Sequence, residues 1–270
     1  MARRRFPQLS SEKVALFALE GIPEVKSGDC VVGLITQSLE QSGERVQNGD
    51  VFVIAQKIVS KSEARAVNLR EVTPSAAAEE LAREVDKDPR LVEVILSEAR
   101  RVVRKGVVRD GGREPGKGRL ITETASGMIM ANSGVDLSNT GGDDIATLLP
   151  VDSDASADSI SSKLREATGV RSAVIISDTA GRPWREGLVD IAIGCSGIKA
   201  LEDYRGKSDM RGATLVATEM AVADQIAAAA GILMEKDSGL PVVVVRGLEF
   251  NPEGIGAGEL LRKPSEDLFR

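Results

Sequence analysis

The chain has 270 residues, 42% of them apolar but only 3% aromatic, so its core must be built from Ala, Val, Ile and Leu. A formal net charge of −6 lacks the basic footprint of a general nucleic-acid binder, and the absence of histidine removes Ser-His-Asp and Cys-His catalysis and every His-containing zinc site. Two cysteines, Cys30 and Cys195, make neither a Cys₄ site nor a secreted disulfide framework, so any metal rests mostly on oxygen and would be Mg²⁺, Mn²⁺ or Ca²⁺.

The opening MARRRFPQLSSEK is basic but lacks the apolar stretch of a signal peptide, and no run approaches the length of a membrane span. A cytoplasmic protein with no membrane or nucleic-acid partner is expected. Val14–Leu19 reads as a short strand ending in the turn Glu20-Gly21-Ile22-Pro23. Cys30–Gln41 has helical spacing with a cap near its start. Asn48-Gly49-Asp50 marks a turn before a buried strand, Val51–Ala55. That strand runs into Gln56-Lys57-Ile58-Val59-Ser60-Lys61-Ser62-Glu63. Its lysines could grip phosphates as point charges, or the segment is only a solvated strand end.

A helix is predicted over Ala76–Val85, and another from Asp88-Pro89 to about Val103. Residues 109–118 are polar and Gly-rich, a mobile loop whose glycines are not spaced as in a P-loop. Leu120–Thr124 and Met128–Ala131 read as a hairpin. The polar cluster Asn132–Asn139 follows, in which one tight turn could present both Asp136 and Asn139; an Asx-turn is the plainer alternative. A helix over about Asp158–Ala167 comes next.

Ala173–Ile176 is a buried strand that ends in three oxygen-bearing side chains, Ser177, Asp178 and Thr179. A turn, Ala180-Gly181-Arg182-Pro183, and a second strand-like run, Leu188–Ile193, complete a hairpin. The acid and hydroxyls could hold a divalent metal and phosphate, or Asp178 simply caps the turn. Asp203–Asp209 is a charged loop, Thr214 to Met234 a long small-residue helix, and Pro241–Val245 the last buried strand. The tail after Gly247 is rich in Gly, Pro and charge. The irregular alternation of elements predicts a mixed α/β (α+β) fold, and the absence of a GxGxxG after a strand counts against a Rossmann site. Residues 1–270 are expected to form a single unit, which two intertwined lobes could make up, with flexible termini at 1–13 and 248–270.

Four segments in this order and spacing carry a resemblance. They are Glu20–Pro23 with Gly28-Asp29, Gln56–Glu63, Ala131–Asn139, and Ser177–Gly187; Leu149–Asp154 and Asp203–Gly206 fit the same pattern. Together they resemble the coenzyme F420-0:L-glutamate ligase family, the GTP-dependent γ-glutamyl ligases of deazaflavin coenzyme biosynthesis, over about residues 14 to 247. The resemblance implies an F420 ligase-like fold distinct from P-loop and ATP-grasp enzymes, and a homodimer. It also implies coenzyme F420-0, L-glutamate and GTP as substrates, with Mg²⁺ or Mn²⁺ and K⁺ as a further ion. By matching positions, Asp136, Asp178 and Thr179 would bind metal. Ile22, Pro23, Val25, Gln56, Lys57, Lys61 and Asn139 would lie at the nucleotide, and Asp178 and Lys61 would be catalytic.

The loop Met234–Leu240 matches another nucleotide-binding segment, with Met234, Glu235 and Lys236 where the family often has MGQ or MGE. Glu235 could take over the metal-ligand role there. Ala64 stands where Gly is common, Ser126 where His is usual, and 110–118 reads as an insertion. Two rival readings use the same residues: a non-catalytic nucleotide- or deazaflavin-binding homologue, and an amide ligase acting on a different acid.

Overall fold

The computed structural model describes residues 13–108, 117–138 and 144–268. In chain order the elements are β1 (Ala15–Ala18), α1 (Val31–Ser42), β2 (Val51–Ala55), α2 (Gln56–Ser62), β3 (Ala66–Asn68), α3 (Ala76–Val85), α4 (Pro89–Ser97), β4 (Ala99–Val108), β5 (Lys117–Thr124), β6 (Ile129–Ala131), β7 (Ile145–Thr147), α5 (Ser153–Thr168), β8 (Ala173–Arg182), β9 (Arg185–Ser196), β10 (Leu201–Asp203), β11 (Glu219–Ala221), α6 (Val222–Met234) and β12 (Val242–Arg246). This is a mixed α/β architecture, as the irregular alternation predicts.

The chain divides into two compact units of interleaved segments. The first is built from described residues of Met1–Val59, Asp152–Thr179 and Val189–Leu260, the second from those of Ser60–Val151, Ala180–Leu188 and Leu261–Arg270.

The first unit holds the largest sheet among the described residues, in the order β1-β12-β2-β8-β9. β12 runs antiparallel to both β1 and β2, while β2 and β8 are parallel, with Ile54 opposite Ile176 and Ala55 opposite Ser177. Both faces of the central strands are buried, which is why β2, β8 and β12 read as unbroken apolar runs rather than alternating ones. On one face Val51, Val53, Ile175, Val243 and Val245 pack with Ala223, Ile226, Ala227, Ala230 and Met234 of α6. Each valine, isoleucine or methionine among them taken fully out of water stabilises the fold by about 2 kcal/mol. The alanines let α6 lie close to the sheet. At one edge, buried Asp50 takes two hydrogen bonds from Arg246, both at 2.9 Å, and so ties β12 to the start of β2.

The second unit packs α3 and α4 with the sheet β4-β5-β6 around Ala78, Val85, Val92, Ile95 and Leu120. Glu123, buried on β5, is paired with Arg100 at 3.2 Å and Arg101 at 2.7 Å. Helix starts are capped as their sequences suggest. Ser75 accepts from the Ala78 amide at 3.2 Å and Asp88 from Arg90 at 2.8 Å, while Asp152 accepts from Ala155 at 2.9 Å, so α5 starts at Ser153 rather than at the expected Asp158.

Three further expectations are corrected. Gln56–Ser62 is a helix, not the frayed end of β2. It ends at Ser62; Ala64 just beyond, with a φ of 58°, turns the chain in the left-handed region, and the Arg65 Nε–H donates to the Leu149 carbonyl at 2.8 Å. The helix from Pro89 stops at Ser97, because the chain from Ala99 to Val108 forms β4, in which Val102, Val107 and Val108 pair with β5. Helix α6 begins at Val222 rather than Thr214. Residues 214–221 are not helical: Thr214 bridges to Ser208, Glu219–Ala221 pairs with β10, and the Tyr204 amide donates to the Thr218 carbonyl at 2.9 Å. In both of the last two cases β-branched residues favour the pleated surface that tertiary pairing offers.

Short strands β3, β7, β10 and β11 carry no sequence signal strong enough to predict them. Residues 109–116 lie outside the described residues. In the tail, Ala257 is buried and the Lys199 amide donates to the Asn251 carbonyl at 2.7 Å. Among the described residues no helix is long and apolar enough to cross a membrane.

Candidate functional site

In the first unit the candidate residues gather where β8 meets the end of α6. Strand alternation puts Ser177 and Thr179 on the face towards α6 and Asp178 on the opposite face. The Ser177 hydroxyl reaches the Met234 sulfur at 3.9 Å, and the Thr179 hydroxyl donates to Asp190 Oδ1 of β9 at 2.6 Å. The Lys236 ammonium donates in turn to Thr179 Oγ1. Lysine, hydroxyl and carboxylate thus form a directed chain in which the Thr179 oxygen accepts from a cation while its proton faces an anion.

The backbone around this chain is shaped for it. Gly231 leaves room for Asp190: a Cβ there would come within 2.2 Å of Asp190 Oδ2. Glu235 ends α6 with a φ of 37°, and the Ser238 hydroxyl donates to the Met234 carbonyl. Asp178 and Thr179 are neighbours on the extended β8, so their side chains point to opposite faces of the strand. Glu235 and Lys236 are both exposed.

Asp190 and Asp224 escaped the sequence reading. An acid set inside the apolar run Leu188–Ile193 is the signal that could have found Asp190. Asp224 Oδ1 accepts from the Ala192 amide at 2.9 Å, and burial pushes its carboxyl above the ordinary range. Cys195 is no nucleophile: burial, with Asp154, Glu259 and Asp224 nearby, pushes its thiol up to about 12.

In the second unit Asp136 sits on an irregular turn. Asn132, Ser133 and Gly134 all have positive φ, at 53°, 53° and 73°. The turn is held by a buried hydroxyl network. The Ser133 amide donates to Thr122 Oγ1 at 2.8 Å, the Ser133 hydroxyl donates to the Ile95 carbonyl at 3.1 Å, and the two hydroxyl oxygens lie 2.9 Å apart. Gly134 presses on Leu149, whose side chain a Cβ would meet at 2.6 Å. Asp136 then bonds Thr147 in both directions through its backbone, and its carboxylate accepts from the Ser138 amide and hydroxyl, each at 2.8 Å. The Asx-turn alternative is therefore present, with the carboxylate held in one orientation. Asn139 lies outside the described residues.

On α2, Lys57 and Lys61 are spaced i, i+4 and so share one face of the helix, both half-buried. Gln56 is only 3% exposed. Of the Ile22, Pro23 and Val25 segment, Val25 is buried at 3% exposure, so its side chain serves the core, while Pro23 is exposed. The Ser38 hydroxyl donates to the Glu20 carbonyl at 2.7 Å and fixes this segment on α1. Among the described residues, no three Cys, Asp or Glu side chains gather into a ready metal cluster.

Comparison with known proteins gives consistent matches. The family model described as F420-0:Gamma-glutamyl ligase matches residues 21–247. A coenzyme F420:L-glutamate ligase of Methanothermobacter thermautotrophicus is 42% identical over 261 residues, covering 95% of this chain and 99% of that protein. One from Methanocaldococcus jannaschii is 44% identical over 227 residues, 83% of this chain and 86% of its own length. A third, from Methanopyrus kandleri, is 42% identical over 260 residues, 93% and 97% respectively.

Proposed function

The chain belongs to the F420-0:gamma-glutamyl ligase family, and on that premise we propose that it drives its ligation with GTP on divalent metal ions. It is a ligase that forms a carbon–nitrogen bond, joining L-glutamate to coenzyme F420-0. The observation that carries this reading is the 42% identity to a coenzyme F420:L-glutamate ligase across 99% of that protein's length.

GTP, the ions, a homodimer and a cytoplasmic setting make up the finer part of the proposal. Exposed Trp184 and Leu188 on the β8–β9 hairpin are apolar surface that a partner subunit would cover. Asp136 and Asp178 are hard oxygen ligands of the kind Mg²⁺ or Mn²⁺ takes, with K⁺ as a further ion. Thr179 does not fit, because its hydroxyl is engaged by Asp190 on one side and by the Lys236 ammonium on the other. Glu235 is exposed and its carboxylate has the right chemistry. Bound metal would neutralise phosphate charge during transfer.

In the proposed reaction a carboxylate oxygen of F420-0 attacks the γ-phosphorus of GTP, the bond to the GDP oxygen breaks, and an acyl phosphate forms. The L-glutamate amine then attacks the acyl carbon, phosphate leaves with the C–O electron pair, and the amine proton passes to solvent. Phosphoryl transfer depends on positioning and charge neutralisation, so a chain without histidine can carry it out. Lys57 and Lys61 would hold phosphate oxygens from one face of α2, with Gln56, Asn139 and the backbone of Ile22–Val25 around the nucleotide. Met234–Lys236 would close over it.

Asp178→Asn should lower metal-dependent GDP release at least about a hundredfold while leaving the thermal melt unchanged. Wild-type turnover in that variant would remove Asp178 from the reaction.

A further inference from the structure

We propose that the Lys236 ammonium is a built-in cation of this centre: it fills the position at Thr179 Oγ1 and keeps a divalent ion from that oxygen. The inference rests on reading the chain as a metal-using ligase, and it concerns how many ions the protein itself takes up.

The geometry argues for a cation position at this oxygen and for its occupancy by lysine. The Thr179 proton is committed to Asp190, which leaves the oxygen's lone pairs to accept from a positive group. Asp190 is fixed in turn, since it fills the space over Gly231 where any other residue would place a Cβ. The carbonyl end of α6 adds partial negative charge, and Lys236 lies two residues beyond it. Ser177 against Met234 holds that helix end to β8. The hydroxyl oxygen polarised by Asp190 thus accepts from the Lys236 ammonium, which stands just past the C-terminus of α6.

A divalent ion bound to the same oxygen would stand within about 5 Å of the ammonium, given metal–oxygen distances of about 2.0 to 2.6 Å. Like charges that close weaken ion binding about tenfold or more even with the screening of a protein surface. The ammonium keeps further N–H donors, so it can also meet an anionic group such as a phosphate oxygen as a point charge.

The test counts Mn²⁺ on the chelator-stripped full chain by electron paramagnetic resonance of the free ion. Lys236→Met removes the charge and adds no oxygen ligand. It is expected to bind one Mn²⁺ per chain more than wild type, or the same ion about tenfold more tightly. Lys236→Arg keeps the charge and should match wild type. Adding Thr179→Val, or Asp190→Asn where the valine variant does not fold, should abolish the gain. Equal counts and affinities in wild type and Lys236→Met would overturn the proposal, as would a gained ion indifferent to both second substitutions. Glutamate ligation is assayed on the same preparations. Ligation with equal ion counts overturns the Lys236 assignment alone, and a gained ion without ligation in wild type overturns the ligase reading alone.

Discussion

The two units present acidic residues at strand ends by different means. In the first, Asp178 and Thr179 follow the buried stretch of a regular strand that runs on to Arg182, and the partners of Thr179, Asp190 and Lys236, arrive on a paired strand and just past a helix end. In the second, Asp136 follows three consecutive left-handed residues that no regular element would produce. The first device uses periodicity, which fixes the faces and so separates Asp178 from Thr179. The second stores backbone strain and offsets it with the buried Thr122–Ser133–Ile95 hydroxyl network. Strained backbone of this kind concentrates at functional sites, which favours Asp136 as more than a turn residue.

That contrast can be broken by substitution. Gly134→Ala should have the largest effect, about 3 kcal/mol of lost stability, because it adds a Cβ against Leu149 at a φ of 73°. A denaturant midpoint within error of wild type would mean the turn relaxes freely. Gly231→Ala acts on the first unit instead. It should displace Asp190 and lower GDP release about tenfold, an effect of about 1.4 kcal/mol in the barrier. Full activity would show that Asp190 does not orient Thr179. The smallest effect is expected at the end of α2, where Ala64→Gly relieves a left-handed alanine and should stabilise by about 1 kcal/mol, read as a raised Tm.

The sequence made the regular half of the molecule legible. Val51–Ala55 and Ala76–Val85 have the predicted bounds, and the strands at 15–18 and 242–246 fall within a residue of them, since burial on both faces and clear caps leave little choice. Where tertiary pairing decides, the reading failed. The run 99–108 has the apolar content of a helix continuation but pairs with β5, and 214–221 looks like helix but ends in a strand, Glu219–Ala221, paired with β10. Of the candidate site, Thr179, Asp178 and Asp136 were legible as oxygen donors after apolar strands. Asp190 was hidden because a single acid in a strand reads as a surface position. The contact of Lys236 with Thr179 joins residues 57 positions apart, and no local pattern encodes it.

The central claim is tested most directly by incubating the purified full chain with GTP, Mn²⁺, L-glutamate and coenzyme F420-0, reading the product by mass spectrometry while GDP is counted. The account predicts a glutamyl increment on the coenzyme with one GDP released per amide bond formed. GTP binding without any increment, or an increment only when another acid replaces F420-0, would contradict it.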